Sequence, residues 1–118
     1  MTRRRLLDRL GPFAISFAVT SAFFINLCAL IFRCGCRSLW AGADASCNVH
    51  VAVSRHCPWC SHGVEGYTLV MTLLCAPQLA VSVLPCWHWT VRTVVAVALF
   101  PAVGVIVAGV FGWYDHYW

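Results

Sequence analysis

Residues 11–32 read GPFAISFAVTSAFFINLCALIF. These 22 positions hold no Asp, Glu, Lys, Arg or His, and the only strongly polar member is Asn26. At about 1.5 Å per residue a helix of that length reaches about 33 Å, enough to cross a hydrocarbon core of about 30 Å. Two more apolar runs follow. Residues 64–84 carry Glu65 at their mouth and Pro77-Gln78 inside; residues 93–113 are almost entirely Val, Ala, Leu, Phe and Gly. In lipid the backbone polar groups must be paired within the segment, so each run is expected to be a helix. The Val content favours strand in water, but three strands cannot close a barrel. The sequence therefore predicts an all-α integral membrane protein, a single membrane domain over 1–118. Its three transmembrane helices are 11–32, 64–84 and 93–113, with a Cys/His-rich extramembrane loop, 33–63, between the first two.

Composition agrees with that reading. Hydrophobic residues make up 61% of the 118 and charged residues 10%, against about 45–50% and about 25% in soluble domains. A soluble fold this small leaves too much surface exposed to hide so many apolar side chains. The net charge of +4 comes mostly from the first nine residues, and every basic residue is Arg. A nucleic-acid binder spreads its basic residues along one face; here they cluster before a span, so no nucleic-acid partner is expected. Arg3, Arg4, Arg5, Arg9 and Arg92 fall on one side and Arg33, Arg37 and Arg55 on the other. That asymmetry predicts a cytoplasmic N-terminus in a plasma or inner membrane. The stretch Thr2-Arg3-Arg4-Arg5-Leu6-Leu7 loosely resembles a twin-arginine export signal, with Ala43-Asp44-Ala45 as a cleavage site. The apolar run exceeds a signal h-region of about 7–15 residues and ends well before that site, so an uncleaved span is expected.

Helices in lipid associate through close backbone approach and occasional hydrogen bonds. Ala14, Ala18 and Ala22 align on the first span with Asn26 beyond them, and Gly104, Ala108 and Gly112 align on the third. Either stripe is a candidate seam, within the bundle or toward a membrane protein partner or a second copy. Asn26 and Gln78 are each expected to find a hydrogen-bond partner inside the bundle.

The loop carries the chemistry. Five of the eight cysteines and three of the five histidines lie within 33–63. Cys47-x-x-His50 is followed by Cys57-Pro-Trp-Cys60, giving C-x2-H-x6-C-x2-C. Two short-spaced pairs place two donors on each of two turns, the arrangement that makes a tetrahedron for Zn2+. Cys34, Cys36, His56 and His62 are alternate donors, more than one ion can take. The same atoms admit a redox reading. Cys57 and Cys60 precede the second span, where helix-end N–H groups stabilise a thiolate and lower its pKa. A CxxC pair at a helix start is the thioredoxin-like arrangement. Set at the outer end of a membrane helix, it resembles the thiol-oxidising membrane proteins that hand electrons to quinone. Those are four-helix bundles with a second cysteine pair, a part that Cys34 and Cys36 would play; this chain has three spans.

Two further readings use the thiols differently. In an oxidising compartment the loop cysteines become disulfides that staple the loop, a role with no use for the histidines. The size and three spans are similar to those of the small mercuric ion transport proteins. Those carry an adjacent cysteine pair in the first span, whereas this chain has Cys28 alone there. A soft-metal transport route, for mercury or copper, would run from the loop thiols through Cys28 or Cys75 to Cys86. Otherwise Cys28 and Cys75 read as small hydrophobes within spans. Compartment discriminates: a reducing side favours zinc, an oxidising side disulfide chemistry. No HExxH, Gly-rich phosphate loop, GxSxG or haem-attachment CxxCH occurs. The leading expectation is a non-enzymatic accessory subunit or interaction partner of a larger membrane complex, its loop organised by zinc. The alternative is a membrane thiol–disulfide oxidoreductase using Cys57 and Cys60.

Overall fold

The computed structural model describes residues 2–118. It contains α1 (Arg3–Phe32), a one-turn α2 (Pro58–Ser61), α3 (Gly63–Ser82) and α4 (Trp89–Tyr114), with single 3-10 turns at Leu39–Ala41 and Asn48–His50. The described residues are all helix, turn and loop. The three long helices are each long and apolar enough to cross a membrane, and the segment between α1 and α3 is short and rich in cysteine. They run up, down and up: Trp89 at the start of α4 lies beside Gly11 near the start of α1, and Thr20 of α1 meets Gln78 near the end of α3. The bundle measures 55 × 28 × 21 Å.

α1 and α4 outrun their apolar segments, whereas α3 stops at Ser82, two residues short of the 64–84 run. α1 begins at Arg3 and α4 at Trp89, because hydropathy marks only the apolar run while the backbone ladder continues through the polar residues that flank it. His88 caps α4, its Nδ1 accepting from the Thr90 N–H at 3.4 Å. The 30 residues of α1 span about 45 Å, longer than a hydrocarbon core of about 30 Å.

The face that α1 buries is Pro12, Ser16, Thr20, Phe24, Leu27 and Cys28. Against it lie Val70, Leu74, Gln78 and Ser82 of α3 and Ala96, Phe100, Gly104 and Ala108 of α4. Gln78 Nε2 donates to Thr20 Oγ1 at 2.8 Å. Such a bond between membrane helices contributes about 0.6–2 kcal/mol. At the far end the buried Arg92 joins all three helices: Nη1 donates to the Ser82 carbonyl at 2.8 Å and Nη2 to Asp8 at 3.1 Å. The stripe on α4 faces inward, where a Cβ at Gly104 would collide with Leu27 and one at Gly112 with Trp118. On α1, Ala14 and Ala18 are exposed and Ala22 is half-buried, so that stripe faces outward. Asn26 finds its partner in the loop, donating to Ser38 Oγ at 2.9 Å. Trp87 and Trp89 are exposed at one end of the bundle, and Trp40, Trp113, Tyr114 and Trp118 at the other, as suits amphipathic side chains at membrane–water interfaces, whereas Trp59 is buried.

Candidate metal centre

At the end of α1, Arg33 adopts a left-handed conformation (φ 50°) while its N–H still bonds the Ala29 carbonyl at 2.9 Å. The chain thereby folds back over the bundle end instead of leaving it. Cys28 sits one turn before that stop, on the inward face and 2% exposed. Past it, Gly35 (φ +85°) turns Cys34 and Cys36 inward, and a Cβ there would stand 2.6 Å from the Ser46 carbonyl oxygen. Only glycine meets both demands. The close approach brings Cys47 beside the Cys34–Cys36 turn, and the Asn48 N–H closes it on the Cys34 carbonyl at 2.7 Å. Cys57 then caps α2 with Pro58 in the first turn, where its fixed φ suits a helix start. Trp59 wedges α2 against α1, stacked on Phe24 at 5.0 Å and edge-on to Phe32 at 5.6 Å.

The result is six thiols in two groups of three: Cys28, Cys57 and Cys60, and Cys34, Cys36 and Cys47, the sulfurs of each group within 4.8 Å of one another. Both groups are positioned to hold a metal ion. With metal–sulfur bonds of about 2.3 Å, two thiolates on one tetrahedral ion stand about 3.8 Å apart. Cys28 Sγ lies 3.8 Å from Cys34 Sγ and 3.2 Å from Cys57 Sγ. All eight cysteines are free thiols, and five of these six are buried, Cys60 being half-buried.

The donors singled out in sequence are distributed differently from the spacing. Cys47 falls in one group and Cys57 and Cys60 in the other. His50 Nε2 lies 3.0 Å from the Asp44 carbonyl, His56 Nε2 3.2 Å from the Val51 carbonyl, and His62 Nε2 2.8 Å from Asp115 Oδ2. Each ring nitrogen nearest a partner is thus engaged away from the thiols. Cys28, read in sequence as a small hydrophobe of the span, completes the group of Cys57 and Cys60. The available signal was its place one turn before the end of the apolar run, within reach of any loop that folds back. Cys75 lies on the groove between α1 and α3, and Cys86 is exposed near the opposite end.

Thiol neighbours, more than the helix start, set the acidity of the CPWC pair. Donation from the Cys28 thiol draws Cys60 down to about 5 and lowers Cys57 as well. Burial pushes Cys36 and Cys47 up. A second layer holds these groups in place. Asn48 Oδ1 accepts from the Cys57 N–H at 2.7 Å, and Asn48 Nδ2 donates to Tyr117 Oη at 3.0 Å. Tyr117 in turn donates to the Phe32 carbonyl at 2.6 Å, satisfying an acceptor at the end of α1. Arg55 Nη1 ties down the tail through the carbonyls of His116 and Tyr117, at 3.2 and 2.9 Å. Nothing in composition or periodicity pointed to Asn48 or Tyr117, since both bonds span elements distant in sequence. Beside the thiols opens a cavity of about 480 Å³, lined among others by Cys28, Cys36, Cys60, Asp44, His50 and Tyr67.

The chain matches no known protein family, no curated protein and no solved structure.

Proposed function

We propose that this chain is a small, non-enzymatic multi-pass membrane subunit whose loop is organised by zinc and which docks on a larger membrane protein. The observation that carries the reading is the convergence of thiols from the end of α1, the loop and α2 into two compact groups. Thiolate donors at tetrahedral spacing suit Zn2+, whose structural sites are closed by protein ligands and contribute folding energy outright. Zinc bound there would fix the loop as a rigid cap on one end of the bundle. The outward stripe of Ala14 and Ala18 is the surface we assign to a helix of the partner, because small residues let backbones approach closely. The arginine asymmetry supports a cytoplasmic N-terminus, which would set the cap on the opposite side, where an oxidising environment favours the disulfide chemistry of the second reading over zinc. Metal analysis of the detergent-purified protein tests the reading: stoichiometric zinc is expected, and less than about a tenth of an equivalent, with the thiols oxidised, rejects it.

One observation favours a second reading, a thiol–disulfide oxidoreductase. Cys60 is half-buried on an open cavity with its acidity raised, while its partner Cys57 is buried, the pairing of one sulfur accessible to a partner's thiolate with one that is protected. The Cys57–Cys60 disulfide would take two electrons and two protons from a partner's dithiol, which leaves as a disulfide. Cys57→Ser is expected to abolish that exchange without affecting membrane insertion, and an unchanged exchange rate in the variant rejects it. The transport reading gains an inward-facing Cys28 but no second thiol along its route, because Cys75 is turned to the α1–α3 groove.

A further inference from the structure

The two thiol groups touch. Cys28 Sγ approaches Cys34 Sγ at 3.8 Å, and Cys28 and Cys60 of one group line the same cavity as Cys36 of the other. Each group alone is one donor short of a tetrahedron. The 3.8 Å approach of Cys28 and Cys34 brings a sulfur of each group within reach of the other's incomplete shell. A single ion bound by four of the thiols would leave two sulfurs of this compact set idle.

We propose that the six cysteines bind two divalent ions as one thiolate-bridged cluster, with Cys34 and Cys60 as the bridging ligands. Cys28 and Cys57 are then the terminal ligands of one ion, and Cys36 and Cys47 those of the other. The inference rests on the metal-centre reading above and extends it to stoichiometry and connectivity. The donor count closes: two tetrahedral ions need eight positions, and six sulfurs fill them when two are shared. Charge follows the same count. Four positive charges against six thiolates leave a dianion, which burial penalises unless cations stand near. Arg33 and Arg37 flank the Cys34–Cys36 turn in the chain, and both are exposed.

The test loads metal-free, fully reduced protein in detergent with Cd2+ as the probe. Native mass spectrometry counts the ions, alkylation counts the protected thiols, and cadmium NMR reports whether the ions share a ligand. Expected are two Cd2+ per chain, six protected thiols with Cys75 and Cys86 alkylated, and two resonances split by mutual coupling. Cys36→Ser is expected to lower the count from two to one. One ion with four protected thiols, unchanged in Cys36→Ser, overturns the dinuclear cluster and leaves a mononuclear centre standing. Two ions without mutual coupling overturn the bridging assignment. Failure to bind any Cd2+ at the six thiols removes the cluster together with the metal-centre reading itself.

Discussion

Asn48 offers the sharpest mutational probe of the cap, because its side chain is no metal donor and yet holds a donor in place. In Asn48→Ala the Cys57 N–H loses its 2.7 Å acceptor and Tyr117 Oη loses the 3.0 Å donor. The two hydrogen bonds contribute about 0.5–1.5 kcal/mol each, and leaving the N–H of a buried residue unsatisfied adds to the loss. A combined cost of about 2–3 kcal/mol corresponds to roughly 30–150-fold. The backbone bond from Asn48 to the Cys34 carbonyl survives, so the cap loosens without unravelling. The assay is competition for Zn2+ against a chromophoric chelator in detergent. An affinity loss of about 10–100-fold is expected, the range for residues that orient a metal ligand. Tyr117→Phe removes only one of the two Asn48 bonds, together with the bond to the Phe32 carbonyl, and is expected to lose less, about 5–10-fold. Wild-type affinity in Asn48→Ala would show that the Cys57 side is not part of a metal centre, and the reasoning would fail.

Gly35→Ala forces a Cβ into the left-handed region and against the Ser46 carbonyl. A loss of about 1–3 kcal/mol is expected, read as a lower thermal midpoint and faster metal release, with membrane insertion unchanged. In the bundle, Thr20→Val strips Gln78 of its partner, and Gln78 Oε1 already has none. It should cost about 1–2 kcal/mol, while Thr20→Val combined with Gln78→Leu should recover most of the loss; unfolding in mixed micelles measures both. For metal-free protein, alkylation of Cys60 should follow a thiolate titrating at about 5 rather than at the ordinary 9.0. A folded-state value below the unfolded one stabilises the fold fully above about pH 9, progressively less as pH falls, and not at all below about 5. A Cys60 alkylation midpoint near 9 would contradict the proximity of Cys28.

The three long helices were legible because a bilayer allows one way to pair the backbone of an apolar run. Their ends were not: Arg3–Leu10 of α1 is too rich in arginine for hydropathy to mark it as part of the helix. Side choice was only half legible. Gly104 and Ala108 face the core as small residues do, but on α1 the core face went to Ser16 and Thr20, because Gln78 of α3 needs a partner and Ala14 and Ala18 offer none. Spacing along the loop paired each cysteine with its neighbour in sequence. The fold instead selects by where the chain turns back. Arg33 and Gly35 reverse the path onto Cys28, which places a span residue among the loop thiols, while the histidines bond carbonyls and Asp115.

The decisive question is what holds the six sulfurs of Cys28, Cys34, Cys36, Cys47, Cys57 and Cys60 together. Differential alkylation answers it, with each cysteine mapped by mass spectrometry after exposure of native protein to a strong chelator alone or to a reductant alone. The account predicts that the chelator frees all six and the reductant none. Release by the reductant and not by the chelator would mean bridged disulfides, and the zinc-organised cap would have to be abandoned.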